Sequence, residues 1–125
     1  MTLQWIDRGA GVAYVVVHGQ MPAFVEFLNA IDRLIADPAW HVGIPIIEDL
    51  RDYRGYAPPN CVEQWRWYVG ERRGVLSGCR WAIVRRDDDP GLLSILNIAA
   101  EDAAPHAVVL QQFTNMVDAH LWVDA

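Results

Sequence analysis

The chain contains no lysine; all ten of its basic residues are arginine. That absence removes every mechanism built on a lysine amine. A P-loop needs Gly-Lys-Ser/Thr to close its phosphate cradle, and a Schiff-base enzyme needs the amine itself. A receiver domain of the response-regulator kind characteristically uses a lysine too. Aliphatic hydroxyls are nearly as scarce, limited to Thr2, Ser77, Ser94 and Thr114. Neither serine has the flanking glycines of a nucleophile elbow. Only two cysteines occur, Cys61 and Cys79, without CxxC spacing; they read as reduced, small hydrophobic residues. His18, His41, His106 and His120 are scattered singly, so the paired Cys/His spacing of a zinc site is missing, and neither metal nor cofactor is expected. No apolar run approaches the roughly 20 residues of a membrane helix. The N-terminus also lacks the basic-then-apolar blocks of a signal peptide, so the expected location is cytoplasmic. Positive charge is in deficit, the net charge being −6, which argues against nucleic-acid binding through phosphate neutralisation. The pairs Arg72-Arg73 and Arg85-Arg86 are local exceptions, most simply solvated element ends.

What is present is a chain of 125 residues, 53% hydrophobic, long enough for one core and one domain spanning 1–125. Leu3–Arg8 alternates weakly, Gly9-Ala10-Gly11 signals a turn, and Val12–His18 is a β-branched run, together predicting an opening hairpin. Pro22–Ala36 carries Phe24, Phe27, Leu28, Ile31 and Ile35 on one helical stripe, closed by Asp37-Pro38. Gly43–Asp49 reads as a buried third strand that runs into a polar loop through Tyr56. Pro58-Pro59 then sets up a second helix, in which Asn60 and Glu63 have capping-box spacing and Val62, Trp65, Tyr68 and Val69 form the core face. Val75–Gly78 reads as a loop and Cys79–Val84 as a fourth strand. A third helix follows over Leu92–Ala103, with Pro90-Gly91 before it as a hinge. Ala107–Phe113 is a fifth strand, and Thr114 is a suitable N-cap for a last helix ending near Val123. Strands alternating with helices predict an α/β fold: a mixed sheet of about five strands, an N-terminal hairpin and then mainly parallel, with about four helices.

Three segments carry a family resemblance: IPIIEDLRDY (Ile44–Tyr53), WAIV (Trp81–Val84) with the helix after Gly91, and the ending FTNMVDAHLWV (Phe113–Val123). In order and spacing they resemble the SpoIIAA-like, or STAS-like, small bacterial domains, whose third strand ends in Asp-x-Arg-Asp and whose last helix carries Ala-x-x-Trp-Leu/Val, here Ala119 to Trp122-Val123. The resemblance implies a mixed sheet flanked by helices and a binding role like that of anti-sigma-factor antagonists. Those proteins are switched by phosphorylation of a serine after the third strand. Here Arg51, Asp52, Tyr53, Arg54, Gly55 and Tyr56 fill that loop, and no serine or threonine lies between Asp49 and Trp65. A kinase therefore has no hydroxyl to modify at the expected place.

Several residues invite a functional reading. Glu48, Asp49 and Asp52 cluster at a strand end, where a general acid/base or Mg²⁺ site is conceivable. Regular strand geometry sends Glu48 and Asp49 to opposite faces. The plainer expectation is that Asp49 accepts loop N–H bonds while Arg51 or Arg54 pairs with Asp52. Asp87-Asp88-Asp89 reads as a solvated turn. His18, ending a central strand, is the one conceivable partner for Asp49 in a hydrolase. Trp67 falls on the polar face of the second helix, where it is either an interface anchor or a cover for arginine stems such as Arg66 or Arg72. The third helix is apolar around most of its circumference, which ordinary intramolecular core explains most simply, a second subunit or an apolar cavity against it being the alternatives.

The leading expectation is a non-enzymatic interaction module, a homodimer with an unidentified protein partner. Its partner-facing surface comprises Asp49, Arg51, Asp52, Tyr53, Arg54, Tyr56 and Trp67. The alternative is a carrier or sensor of a small apolar ligand, with Leu92, Leu93, Ile95, Leu96 and Ile98 of the third helix forming a mobile lid.

Overall fold

A computed structural model describes residues 1–6, 11–21 and 23–125, and only the backbone of residues 4–6. The chain runs β1 (Thr2–Ile6), β2 (Val12–Val16), α1 (Phe24–Ala36), β3 (Ile46–Asp49), α2 (Cys61–Glu71), α3 (Arg73–Leu76), β4 (Arg80–Val84), α4 (Pro90–Ala103), a 3₁₀ turn (Ala104–His106), β5 (Val109–Phe113) and α5 (Met116–Asp124). The expected turn at Gly9-Ala10 and the helix start at Pro22 lie outside the described residues.

The five strands stand in the order β1-β2-β3-β4-β5. β1 is antiparallel to β2, with Thr2 opposite Val16 and Ile6 opposite Val12. The remaining pairs are all parallel. This is the α/β architecture expected, with β3 at the centre of the sheet. All four β3 residues are buried, as a strand covered on both faces must be.

Strand alternation sorts the core into two layers. Ala13, Val15, Ile46, Trp81 and Ile83 face α1, α2 and α4, joining Phe27, Ile31, Trp65, Tyr68 and Leu96. Val12, Ile47, Ala82 and Val84 face α5, where Ala119 and Val123 cover them. The α1 stripe behaves as its period requires: Phe27, Leu28, Ile31 and Leu34 are buried, and Phe24 and Ile35 pack at its ends. Asp32, on the α1 flank, ties that helix to α2. The Tyr68 hydroxyl donates to Asp32 Oδ1 at 2.8 Å, and Arg72 donates to both carboxylate oxygens at 3.0 and 3.2 Å. The Arg72 guanidinium also lies over the Tyr68 ring, 5.0 Å from its centre.

Several local expectations are corrected. Asn60 adopts a left-handed conformation (φ 61°) and makes no side-chain cap bond, so the capping box with Glu63 does not form. Val62 is half-buried rather than fully in the core. The expected loop at Val75–Gly78 is partly helical, because carbonyls of Arg72 and Arg73 take the N–H groups of Leu76 and Ser77. Asn115, not Thr114, caps α5: its Oδ1 accepts the Asp118 N–H at 2.9 Å while its Nδ2 donates to the Asp118 carboxylate. Pro90-Gly91 is no hinge ahead of the third expected helix. The two residues form the first turn of α4, with proline where no N–H is needed and Asp89 accepting the Leu92 N–H at 3.0 Å. Asp89 thus has a structural task within the acidic run. Both cysteines are free and buried.

Candidate ligand-binding site

The two acids that end β3 have opposite fates. Asp49 faces the α5 side and is fully engaged. Arg51 donates to it from its backbone N–H (3.0 Å), from Nε (2.9 Å) and from Nη2 (2.8 Å), and the Tyr14 hydroxyl adds a fourth bond at 3.1 Å. Burial alone would raise the Asp49 pKa, but these donors outweigh it and hold the carboxyl below its ordinary range. Such a closed network fixes the strand exit and leaves little for an external partner.

Glu48 points the other way, into the layer beneath α4. It keeps only 8% of its exposure. Trp81 Nε1–H donates to its Oε1 at 2.9 Å. Burial is the dominant influence and raises its pKa to about 7, with the indole bond pulling the other way. Desolvation favours the neutral acid, whereas the indole donor favours the carboxylate.

Around Glu48 lies a two-lobed pocket between the sheet and helices α1, α2 and α4, each lobe about 70 Å³. Phe24, Phe27, Glu48, Cys61, Ile95 and Leu96 line both lobes. The first continues towards Trp65, Trp81 and Ala99, and the second towards Met21, Tyr53 and Leu92. Each exceeds the roughly 10–15 Å³ that a single water requires and is smaller than the roughly 150 Å³ cavity known to accommodate benzene. The walls are almost wholly apolar, and among the described residues Glu48 is their one carboxylate. Their aromatic rings form a connected group: Trp65 meets Trp81 edge-on at 5.3 Å, Phe27 lies 6.3 Å from Trp81, and Phe24 lies 5.5 Å from Phe27. The Trp65 indole is anchored by donating to the Ala99 carbonyl at 3.0 Å, which joins α2 to α4. The Cys61 thiol in the wall and the Cys79 thiol in the core are both pushed up by burial, Cys79 to about 12.

The residues expected to form a lid divide. Leu92, Ile95 and Leu96 line the pocket, whereas Leu93 and Ile98 sit on the outer face of α4 and are exposed. A helix presents such residues to opposite sides because of its 100° step per residue.

The residues expected to form a partner surface divide as well. Tyr53 is a correction: it is 6% exposed and packs in the core, and its hydroxyl donates to the Tyr56 carbonyl. Asp49 is equally buried. Tyr53 is drawn inward because the loop adds a short parallel bridge to the sheet, pairing Gly19 with Tyr53. The Gly19 N–H donates to the Asp52 carbonyl at 3.0 Å, and the Arg54 N–H to the Gly19 carbonyl at 2.7 Å. Arg51, Asp52, Arg54 and Tyr56 remain exposed, Tyr56 almost completely at 97%. Arg51 pairs with Asp49, not Asp52, and Arg54 donates to the carbonyls of Arg51 and Tyr53. Asp52 instead faces His18, with Nδ1 to Oδ2 at 3.5 Å. The His18–Asp49 pairing conceived for a hydrolase is thereby replaced by an exposed His18–Asp52 contact. Trp67 is 63% exposed and lines a shallow groove with Val25, Leu28, Glu63 and Gln64.

Sequence reasoning passed over Glu48 as one member of an acidic cluster and missed its apolar surroundings. The signal was the alternation that separated it from Asp49, read together with the aromatic residues at 65 and 81. Compared with protein-family models, curated proteins and solved structures, the chain matches none. Among the described residues no helix is long and apolar enough to cross a membrane.

Proposed function

We propose that this domain is a non-enzymatic binding module, a carrier or sensor whose ligand is a small, mainly apolar molecule held between the sheet and α4. The observation that carries this reading is the aromatic-walled pocket with one carboxyl group at its centre. Apolar concavities with a few convergent polar groups are the ordinary form of small-molecule sites. The resemblance to SpoIIAA-like domains agrees with a role in binding. Native mass spectrometry of freshly purified protein tests the proposal. A co-purifying small mass, or one taken up from added benzyl alcohol, is expected for the natural sequence and should be lost in Ile95→Trp, which puts a larger side chain at a position lining both lobes. Equal uptake by the two proteins would refute it.

One feature favours a second reading, a protein-interaction module of the anti-sigma-antagonist type. Trp67 on α2 and Val25 on α1 are large, exposed and adjacent in one groove. Exposed tryptophans are frequent interface anchors. Under this reading Trp67→Glu abolishes a dimer or a captured partner while leaving the fold intact, and an unchanged sedimentation profile counts against it.

A further inference from the structure

We propose that the pocket's ligand is a small primary amine with an aromatic or compact aliphatic body, its ammonium group seated against the Glu48 carboxylate and its body between the aromatic walls. This rests on the pocket being a ligand site at all, and goes beyond it by assigning the head group.

The argument is one of charge and shape. Glu48 is more than nine-tenths buried, lines both lobes, and is the one carboxylate in their walls among the described residues. Among the described residues no arginine lines either lobe, so none of them neutralises an anionic ligand there. Such a ligand would also meet a chain of net charge −6. A neutral apolar ligand would fill the space but leave the buried carboxyl without a partner beyond Trp81, and that group is costly to desolvate. A cation satisfies it. The aromatic rings that line the lobes, Phe24 and Phe27 in both and Trp65 and Trp81 in the first, favour the same charge wherever a ring face meets it, because aromatic quadrupoles attract ammonium groups. The pocket volume restricts the body to about one ring.

Ionisation of Glu48 makes the capture pH-dependent. The other titratable groups in the walls are Cys61 and Tyr53, and burial raises both above their ordinary values. Neither titrates near neutrality, so Glu48 alone sets the profile there.

Isothermal titration calorimetry of the full chain with benzylamine, benzyl alcohol and benzoate tests this. At pH 8, benzylamine should bind about tenfold or more tightly than benzyl alcohol, as a charge-assisted contact requires, and benzoate weakest of all. Glu48→Gln should erase the preference for the amine while retaining benzyl alcohol binding. Lowering the pH to 5.5 should weaken benzylamine about tenfold or more, by linkage to Glu48 protonation, and leave benzyl alcohol unchanged. Ile95→Trp should abolish all binding. The amine assignment is overturned, with the pocket reading intact, if benzyl alcohol or benzoate binds as well as benzylamine, or if Glu48→Gln keeps the preference. Failure of all three probes, or binding that survives Ile95→Trp, overturns the pocket reading itself.

Discussion

Replacing Glu48 with glutamine should make the domain more stable, and only above acidic pH. Burial raises the Glu48 pKa from 4.5 to about 7. At about 1.4 kcal/mol per pH unit, that rise corresponds to about 3 kcal/mol. The sign follows from which state holds the proton. Below about pH 4.5 the folded and unfolded chains both carry it, and the carboxyl imposes no penalty. Between about 4.5 and 7 the unfolded chain releases the proton while the folded chain retains it, so stability falls as pH rises. Above about 7 both states are ionised and the loss is constant. Glutamine has the same shape, cannot ionise, and still offers an oxygen to the Trp81 indole. The stability difference between Glu48→Gln and the natural sequence should therefore climb by about 3 kcal/mol between pH 4.5 and 8 and then level off. Urea denaturation followed by tryptophan fluorescence at half-unit pH steps measures it, and contributions from all other titrating groups cancel in the difference. A difference that is flat, or that shrinks with rising pH, would refute the reasoning.

Trp81→Phe removes the one donor that favours the Glu48 carboxylate; a carboxyl-carbon NMR titration should then place the Glu48 midpoint above its natural value, and an unchanged or lower midpoint would show that the indole bond has no effect. Asp32→Asn breaks the contacts with Tyr68 and Arg72. Burial alone would raise the Asp32 pKa, but the bonds from Arg72 and Tyr68 outweigh it and lower it, so their stabilisation is present above about pH 4 and vanishes as pH falls through the folded value. Because the pair is partly exposed, the loss at pH 7 should be about 1 kcal/mol and should disappear at pH 2 in chemical denaturation; a loss of equal size at both pH values contradicts the electrostatic origin. Ala107 holds a left-handed φ of 59° after the 3₁₀ turn. Ala107→Gly should stabilise the fold by about 0.5–1 kcal/mol, read as a rise in melting temperature, whereas a fall would mean that the conformation is not strained.

The parts of the fold legible in the sequence were those written in periodicity. Phe24, Phe27, Leu28 and Ile31 repeat at helical spacing, and they bury as α1. Ile46 and Ile47 sit in an unbroken apolar run, and such a run suits only a strand covered on both faces. Caps were less legible, since Asn60 and Asn115 are the same residue type before a helix, yet only Asn115 has an acid whose N–H and carboxylate both answer it. Tyr53 was misjudged because its loop looked wholly polar. Its burial depends on a bridge to Gly19, a contact between segments more than thirty residues apart, which local pattern does not encode. The pocket-lining face of α4 was half legible: helical hydrophobicity located the helix, but which of Leu92, Leu93, Ile95, Leu96 and Ile98 face inward depends on how α4 is rotated over the sheet.

The contrast between neighbouring carboxylates on β3 bears on what the domain is for. Both are buried at one strand end, and sequence alone assigns them the same cost. Asp49 recovers that cost from four donors and serves the fold. Glu48 has an indole N–H and an apolar pocket instead, and burial works against its ionised form. Trp81 does not explain the acid, because glutamine would satisfy the indole equally well without the penalty. What glutamine lacks is the negative charge. If the pocket takes a cation, as proposed, the charge that glutamine lacks finds its counterpart only when the pocket is filled.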